Sequence, residues 1–127
     1  MEAASPYLKF VGRVLLVIIF IQAGFHKIPG YEGTAAHMDE RGVPSILLPL
    51  VILAELGGGL LVLVGFWTRW AALALAGFTV LAALLFHWEP GNQMQMISFM
   101  KNITIAGGFL VLAGAGPGAF ALDNRRR

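Results

Sequence analysis

Long apolar runs recur four times along the 127-residue chain, each followed by a short polar stretch. A helix needs about 20 apolar residues to cross a bilayer core of about 30 Å. Irregular backbone facing lipid would leave its amides unpaired, so each run is read as a helix. The first covers about residues 7–27. Its uncharged centre runs only from Val14 to Phe25, so Lys9 and Arg13 fall inside the span and are expected to snorkel to one interface. The second, about 43–66, is apolar except for Glu55 at its centre. Pro44 suits its first turn, and Pro49 predicts a kink or a later start. The third, about 70–88, carries Trp70 and Trp88 at its ends, the depth of an interfacial aromatic belt. The fourth, about 96–115, runs into GAGPGAF, whose Gly and Pro stop a helix.

These runs predict an all-α fold, a polytopic membrane four-helix bundle occupying residues 1–127 as a single membrane domain. An even number of spans places both termini and the FWTRW turn on one side, with Lys9, Arg13, Arg69, Arg125, Arg126 and Arg127. The other side holds the smaller basic set of Lys27, Arg41 and Lys101. Positive charge favours the cytoplasm, so both termini are expected to be cytoplasmic. In the first outer connection, residues 28–42, TAAHMDER has good helix formers ahead of Gly42, which predicts a short interfacial helix. The first run leads into GFHKIPGYEG rather than a small-residue cleavage site, so it reads as a retained span.

A weak internal repeat accompanies this pattern. GGLLVLVG at residues 58–65 and GGFLVLAG at 107–114 agree at six of eight positions. FHK at Phe25 and FHW at Phe86 both lie near outward ends of spans. Two parallel helical hairpins would give this pattern. Coincidence in Leu- and Gly-rich helices would also give it, and both readings stand at this level. Gly58 and Gly65, two turns apart, are expected to admit a neighbouring helix.

Composition narrows the functional classes. Hydrophobic residues make up 57% of the chain and charged residues 13%, against about 25% charged in a soluble domain. A soluble fold this small has too much surface to hide so many apolar side chains. With no cysteine, there is no disulfide framework, thiolate metal site or dithiol relay, so a redox role requires a bound cofactor. The net charge of +2 is scattered except at the last three arginines, which gives no footprint for nucleic acid.

Polar side chains inside the spans carry what chemistry there is. Glu55 is the sharpest, since an ionised carboxylate at mid-bilayer costs about 3 kcal/mol and must be neutral or paired. It reads as a proton acceptor or a step in a proton path, with a hydrogen-bonded post fixing helix register as the plain alternative. His26 and His87 lie near the outer ends of their spans, Gln22 sits one turn from His26, and Lys101, Asn102 and Thr104 enter on the fourth. Polar groups from all four helices thus converge on the outer half of one bundle. Glu55, His26 and His87 are the candidate catalytic residues, with Gln22, Lys27, Lys101 and Asn102 as candidate cofactor contacts. Lys27 also reads as a headgroup contact, and His37 as solvated. A quinone headgroup needs hydrogen-bond donors and a nearby acid or base, which these residues supply. Haem between two histidines lacks identifiable further contacts and ranks well below quinone. One carboxylate and two histidines whose separations the sequence does not fix are no metal-ligand spacing.

GRVLLVIIFIQAGFHKIPGY, followed by AELGGGLLVLVGFWTRWAALALAGFTVLAALLFH, resembles the DoxX family of small bacterial membrane proteins. The likeness runs from about Phe10 to Ala115 and includes Arg13, the Gly24–Lys27 stretch, Glu55 with its glycines, the inner turn and His87. It implies a bacterial inner-membrane protein working beside other membrane or peripheral redox subunits, of the thiosulfate:quinone oxidoreductase or oxidative-stress type. A second class of reading is a non-catalytic structural or assembly subunit that binds another membrane protein, or its own copies, through Gly- and Ala-rich faces. A transporter ranks third, because one four-helix unit is small for an alternating-access path.

Overall fold

Pro6 lies in the first turn of the opening helix, Ser5–Lys27, where its missing N–H has no partner to lose. The computed structural model describes residues 3–125. After this first span comes a shorter helix, Tyr31–Glu40, and then three further spans, Ser45–Val64, Thr68–His87 and Gln93–Ala115. A terminal helical turn covers Leu122–Arg125. Twenty to twenty-three residues per span give about 30–35 Å at the helical rise, enough to cross a bilayer. Arg126 and Arg127 lie outside the described residues, as does the side chain of Arg125.

Local chemistry sets the ends. The second span enters through a 3-10 turn at Ser45–Leu47 and becomes α-helical at Leu48, with Pro49 in that first α turn. Pro49 therefore marks the later start rather than a kink. Gly65 ends the span at φ +75°, the left-handed conformation that glycine adopts without Cβ strain. The expectation that Gly65 would admit a neighbouring helix is corrected. It lies past the helical face, and a Cβ there would strike Ala121. Asn92 caps the fourth span, its side chain accepting from the Gln95 N–H at 3.2 Å.

Each span packs on its sequence neighbour, and the first and fourth close the ring. The side that carries Tyr31–Glu40 and the Trp88–Asn92 stretch is the connection side; the opposite, terminal side carries both chain ends. Toward the terminal side the bundle is dense. Ala71, Ala72, Leu75 and Ala76 of the third span meet Ala106, Phe109 and Ala113 of the fourth, and small residues let these backbones come close. Phe20 meets Phe109 edge to face, with centroids 5.3 Å apart. Both GG motifs contribute: Gly59 receives Ile21 and Gly108 receives Leu16, so the second glycine of each accepts a branched side chain from the first span. Leu15, Ile18, Leu53, Leu84 and Val111 point outward and are exposed, as lipid-facing residues must be. Trp67 and Trp70 are exposed at one end of the third span and Trp88 at the other.

Arg13 overturns the expectation of snorkelling. Only 2% of it is exposed. Its guanidinium donates to the carbonyls of Pro117 at 2.9 Å, Leu63 at 3.2 Å and Phe120 at 2.6 Å. Carbonyls at and beyond a helix C-terminus have no intrahelical donor and carry the negative end of the helix dipole. Arg13 meets that demand from the second span and from the segment following the fourth. In the same layer the Asp123 carboxylate accepts from the backbone N–H groups of Trp67 (2.7 Å) and Thr68 (2.9 Å), and so caps the third span.

Candidate functional site

Toward the connection side the dense core gives way to a cavity of about 630 Å³ between the spans, roofed by the Tyr31–Glu40 helix. Two local departures from α geometry shape it. The second span makes a π turn at Leu53–Gly57, which contains Glu55. The third span ends in another at Ala83–His87, which contains His87. A π turn inserts one residue and rotates the rest of the helix about its axis, a device found often at functional sites. In this bundle each of the two carries a titratable cavity residue.

Glu55 is 6% exposed. Its Oε1 accepts from Lys27 Nζ at 2.6 Å. A buried carboxylate needs such a charge-assisted partner. Gly24, one turn before Lys27, makes the pairing feasible: a Cβ on it would lie 2.7 Å from Leu56 Cγ and 3.3 Å from Glu55 Cβ. Only hydrogen at that position lets the first two spans approach closely enough. Lys27 is thus drawn inward to Glu55 rather than out to headgroups.

The remaining lining is mostly apolar, with Phe20, Met38, Val51 and Ile105 among its residues. Asn102 joins from the fourth span and donates to the Thr79 carbonyl at 3.4 Å. His87 lines the cavity too, its Nδ1 lying 2.8 Å from Gln95 Oε1. Of the candidate residues, then, Glu55, Lys27, His87 and Asn102 are brought together around one space. His26 and Gln22 are not. They are exposed and off the cavity, because Phe20, Ala23 and Lys27 form the inward stripe of the first span. One residue's offset turns the Gln22/His26 stripe about 100° away. His26 and His87 consequently do not face each other across the bundle. Lys101 is exposed and borders a separate shallow groove on the fourth span with Met96, Met100 and Thr104.

Three polar lining residues lie outside the set expected from the sequence: Thr34, His37 and Thr79. His37, exposed as expected, also stacks on Phe86 with centroids 5.6 Å apart. The available signal was the spacing of Thr34, His37 and Met38, an i, i+3, i+4 face on the short helix. Arg41 fastens that helix to the end of the third span, donating to the Phe86 carbonyl at 2.8 Å.

The DoxX family model matches residues 8–88, a stretch that includes Arg13, Lys27, Glu55 and His87. The chain belongs to the DoxX family. Among DoxX-like relatives, Inner membrane protein YqjF of Escherichia coli (strain K12) is 55% identical over 113 residues, covering 89% of this chain and 87% of that one. Inner membrane protein YphA of the same organism is 39% identical over 130 residues, covering 97% and 93%. A third, named "Putative oxidoreductase CatD", from Bacillus subtilis (strain 168), is 36% identical over 98 residues, covering 74% and 73%. No solved structure matches this DoxX chain.

Proposed function

We propose that this DoxX protein is a bacterial inner-membrane subunit of a quinone-linked oxidoreductase complex, with both termini cytoplasmic, and that its cavity receives the quinone headgroup. The observation that carries this reading is the cavity itself: a largely apolar chamber with an ion pair, two imidazoles, two threonines and an amide in its lining. Its volume lies in the range of small-molecule sites. Its lining includes Ile19, Leu50 and Leu81, each more than half exposed on the lipid-facing surface, which suits a ligand that arrives from the bilayer. The donor set fits a quinone, with an ammonium for a ring oxygen and a carboxylate and imidazole for its protons. The name of the Bacillus relative adds support from outside the chain.

A bound quinone supplies two-electron carrier chemistry that the side chains of this chain lack. The protein's own part is binding, orientation and proton handling. Lys27, fixed by Glu55, presents a directed cation in a low-dielectric space, where its field is stronger than in water. Glu55 and His87 hold or release protons at the cavity wall, and the aliphatic lining excludes water.

Gentle purification followed by solvent extraction tests the proposal. About one quinone or quinol per chain is expected, with loss of at least tenfold in Glu55→Gln and His87→Ala. A firmly held partner subunit with no quinone or quinol in any preparation would overturn it in favour of a structural or assembly subunit.

A further inference from the structure

Resting on the quinone reading, we infer that Gln95 is a positioning residue that holds His87 as a hydrogen-bond acceptor toward the cavity, so that the site binds the quinol form in preference to the quinone. The inference starts from the 2.8 Å contact between His87 Nδ1 and Gln95 Oε1. An amide oxygen only accepts, so the shared proton belongs to Nδ1. A neutral imidazole has one N–H, and Nε2 is then left with a lone pair. His87 lines the cavity and Gln95 does not, which directs the Nδ1 edge away from the cavity and leaves Nε2 for a ligand.

Gln95 is itself well placed to impose this. It is the third residue of the fourth span, and its backbone N–H is held by the Asn92 side chain at 3.2 Å. The Asn92 N–H is bonded in turn to the Glu89 carbonyl at 2.9 Å, so the turn and helix start form a continuous bonded unit. On the other side, the π turn at Ala83–His87 sets the direction of the imidazole. An imidazole held from both directions is preorganised, and a tautomer fixed by a second residue is the usual way of setting which nitrogen meets a ligand.

The rest of the cavity offers both donors and acceptors, so the His87 nitrogen is the group that discriminates. The Glu55 carboxylate has an oxygen beyond the one that accepts from Lys27. Asn102 spends one of its two N–H donors on the Thr79 carbonyl, keeping the other N–H and its own carbonyl oxygen. His87 Nε2, Glu55 and Asn102 therefore offer lone pairs, beside donors from Lys27, the remaining Asn102 N–H, Thr34 and His37. A quinol brings two hydroxyl donors to such a wall. A quinone brings two carbonyl acceptors, which would face the Nε2 lone pair. Sites built to bond a hydroxyl reject the analogue that lacks it.

The test uses the whole protein in nanodiscs with 15N-labelled histidine, in a His26→Ala, His37→Ala background so that one imidazole reports. With the ring neutral, the nitrogen shifts and ring couplings separate the two tautomers. The expected spectrum is the Nδ1–H form, changing in Gln95→Ala to a mixture containing Nε2–H. In parallel, decylubiquinol and decylubiquinone are titrated under anaerobic conditions. The quinol should bind at least about tenfold more tightly, and Gln95→Ala should erase that preference. An Nε2–H spectrum in the unsubstituted Gln95 protein overturns the inference, as does equal affinity for the two ligands. An Nδ1–H spectrum with neither ligand bound would support the positioning role of Gln95 while overturning the quinone reading, so the two failures are distinguishable.

Discussion

The two halves of this bundle each bury a charge, and they satisfy it in opposite ways. On the terminal side Arg13 is enclosed by protein, its two terminal nitrogens donate to three main-chain carbonyls, and the Asp123 carboxylate that caps the third span adds its attraction. On the connection side Glu55 is held by one side chain, Lys27, at the wall of a cavity. Main-chain acceptors cannot change protonation or swing away, so the Arg13 arrangement is a fastening. A carboxylate with a side-chain partner can gain a proton, lose its partner or meet a ligand. Burial alone thus says little about the role of an intramembrane charge; the chemistry of its partners decides. The packing around each follows suit, with alanines and Phe109 filling one half and about 630 Å³ left open in the other.

The largest effect expected from breaking this contrast is at Arg13. Arg13→Leu leaves Pro117, Leu63 and Phe120 carbonyls without a donor and should cost about 3 kcal/mol or more, at about 1–3 per orphaned buried acceptor. Thermal unfolding in detergent would register it as a fall in Tm, with Arg13→Lys intermediate. Quinone retention by the fraction that remains folded should be unchanged. If Arg13→Leu abolished retention in folded protein, the division between fastening and site would fail.

Glu55→Gln should reverse the emphasis. Removing the charge leaves the Lys27 ammonium unpaired, at a cost of about 2 kcal/mol, between exposed and fully buried ion pairs. Ligand retention should fall far more than stability. The exchanged pair Lys27→Glu with Glu55→Lys should recover most of the stability and little of the binding, and recovery of both would mean that the pair is only a register post. Next in size is Gly24→Ala. Its Cβ would press into Leu56, an overpacking that costs about 1–3 kcal/mol. Gly107→Ala, with open space at its Cβ, should be neutral or slightly stabilising through helix propensity. A small stability change is likewise expected for Ala82→Phe, which fills part of the cavity. The Tm should move by a few degrees at most while quinone is excluded, and full retention in that variant would place the ligand elsewhere.

Much of the architecture was legible because lipid imposes a length and forbids unpaired backbone. Four apolar runs located the four spans to within about three residues. Gly42 marked the end of the short connecting helix, and Glu55 stood out as the one acid in the middle of an apolar run. The site was only half legible. Lys27 and Asn102 were named on convergence, but His26 and Gln22 were grouped with them although they point outward. In water an amphipathic stripe identifies the buried face of a helix; a membrane helix is apolar nearly all round, and that marker disappears. The first span thus gave its depth without its rotation. Arg13 was misread for a related reason. Its acceptors are backbone carbonyls 50 to 107 positions away, and no residue type advertises them.

The sequence by itself determined that this chain crosses a membrane four times, that its charges gather toward the ends of its spans, and that Glu55 needs a partner. These follow from hydropathy and helix length, which are local properties. Only the tertiary structure decided that Lys27 is that partner, that His87 rather than His26 reaches the cavity, and that Arg13 binds the turns. Those outcomes depend on how each helix is rotated against its neighbours. Rotation is set by close contacts such as Gly24 on Leu56 and Gly59 on Ile21, and by the extra residue in each π turn.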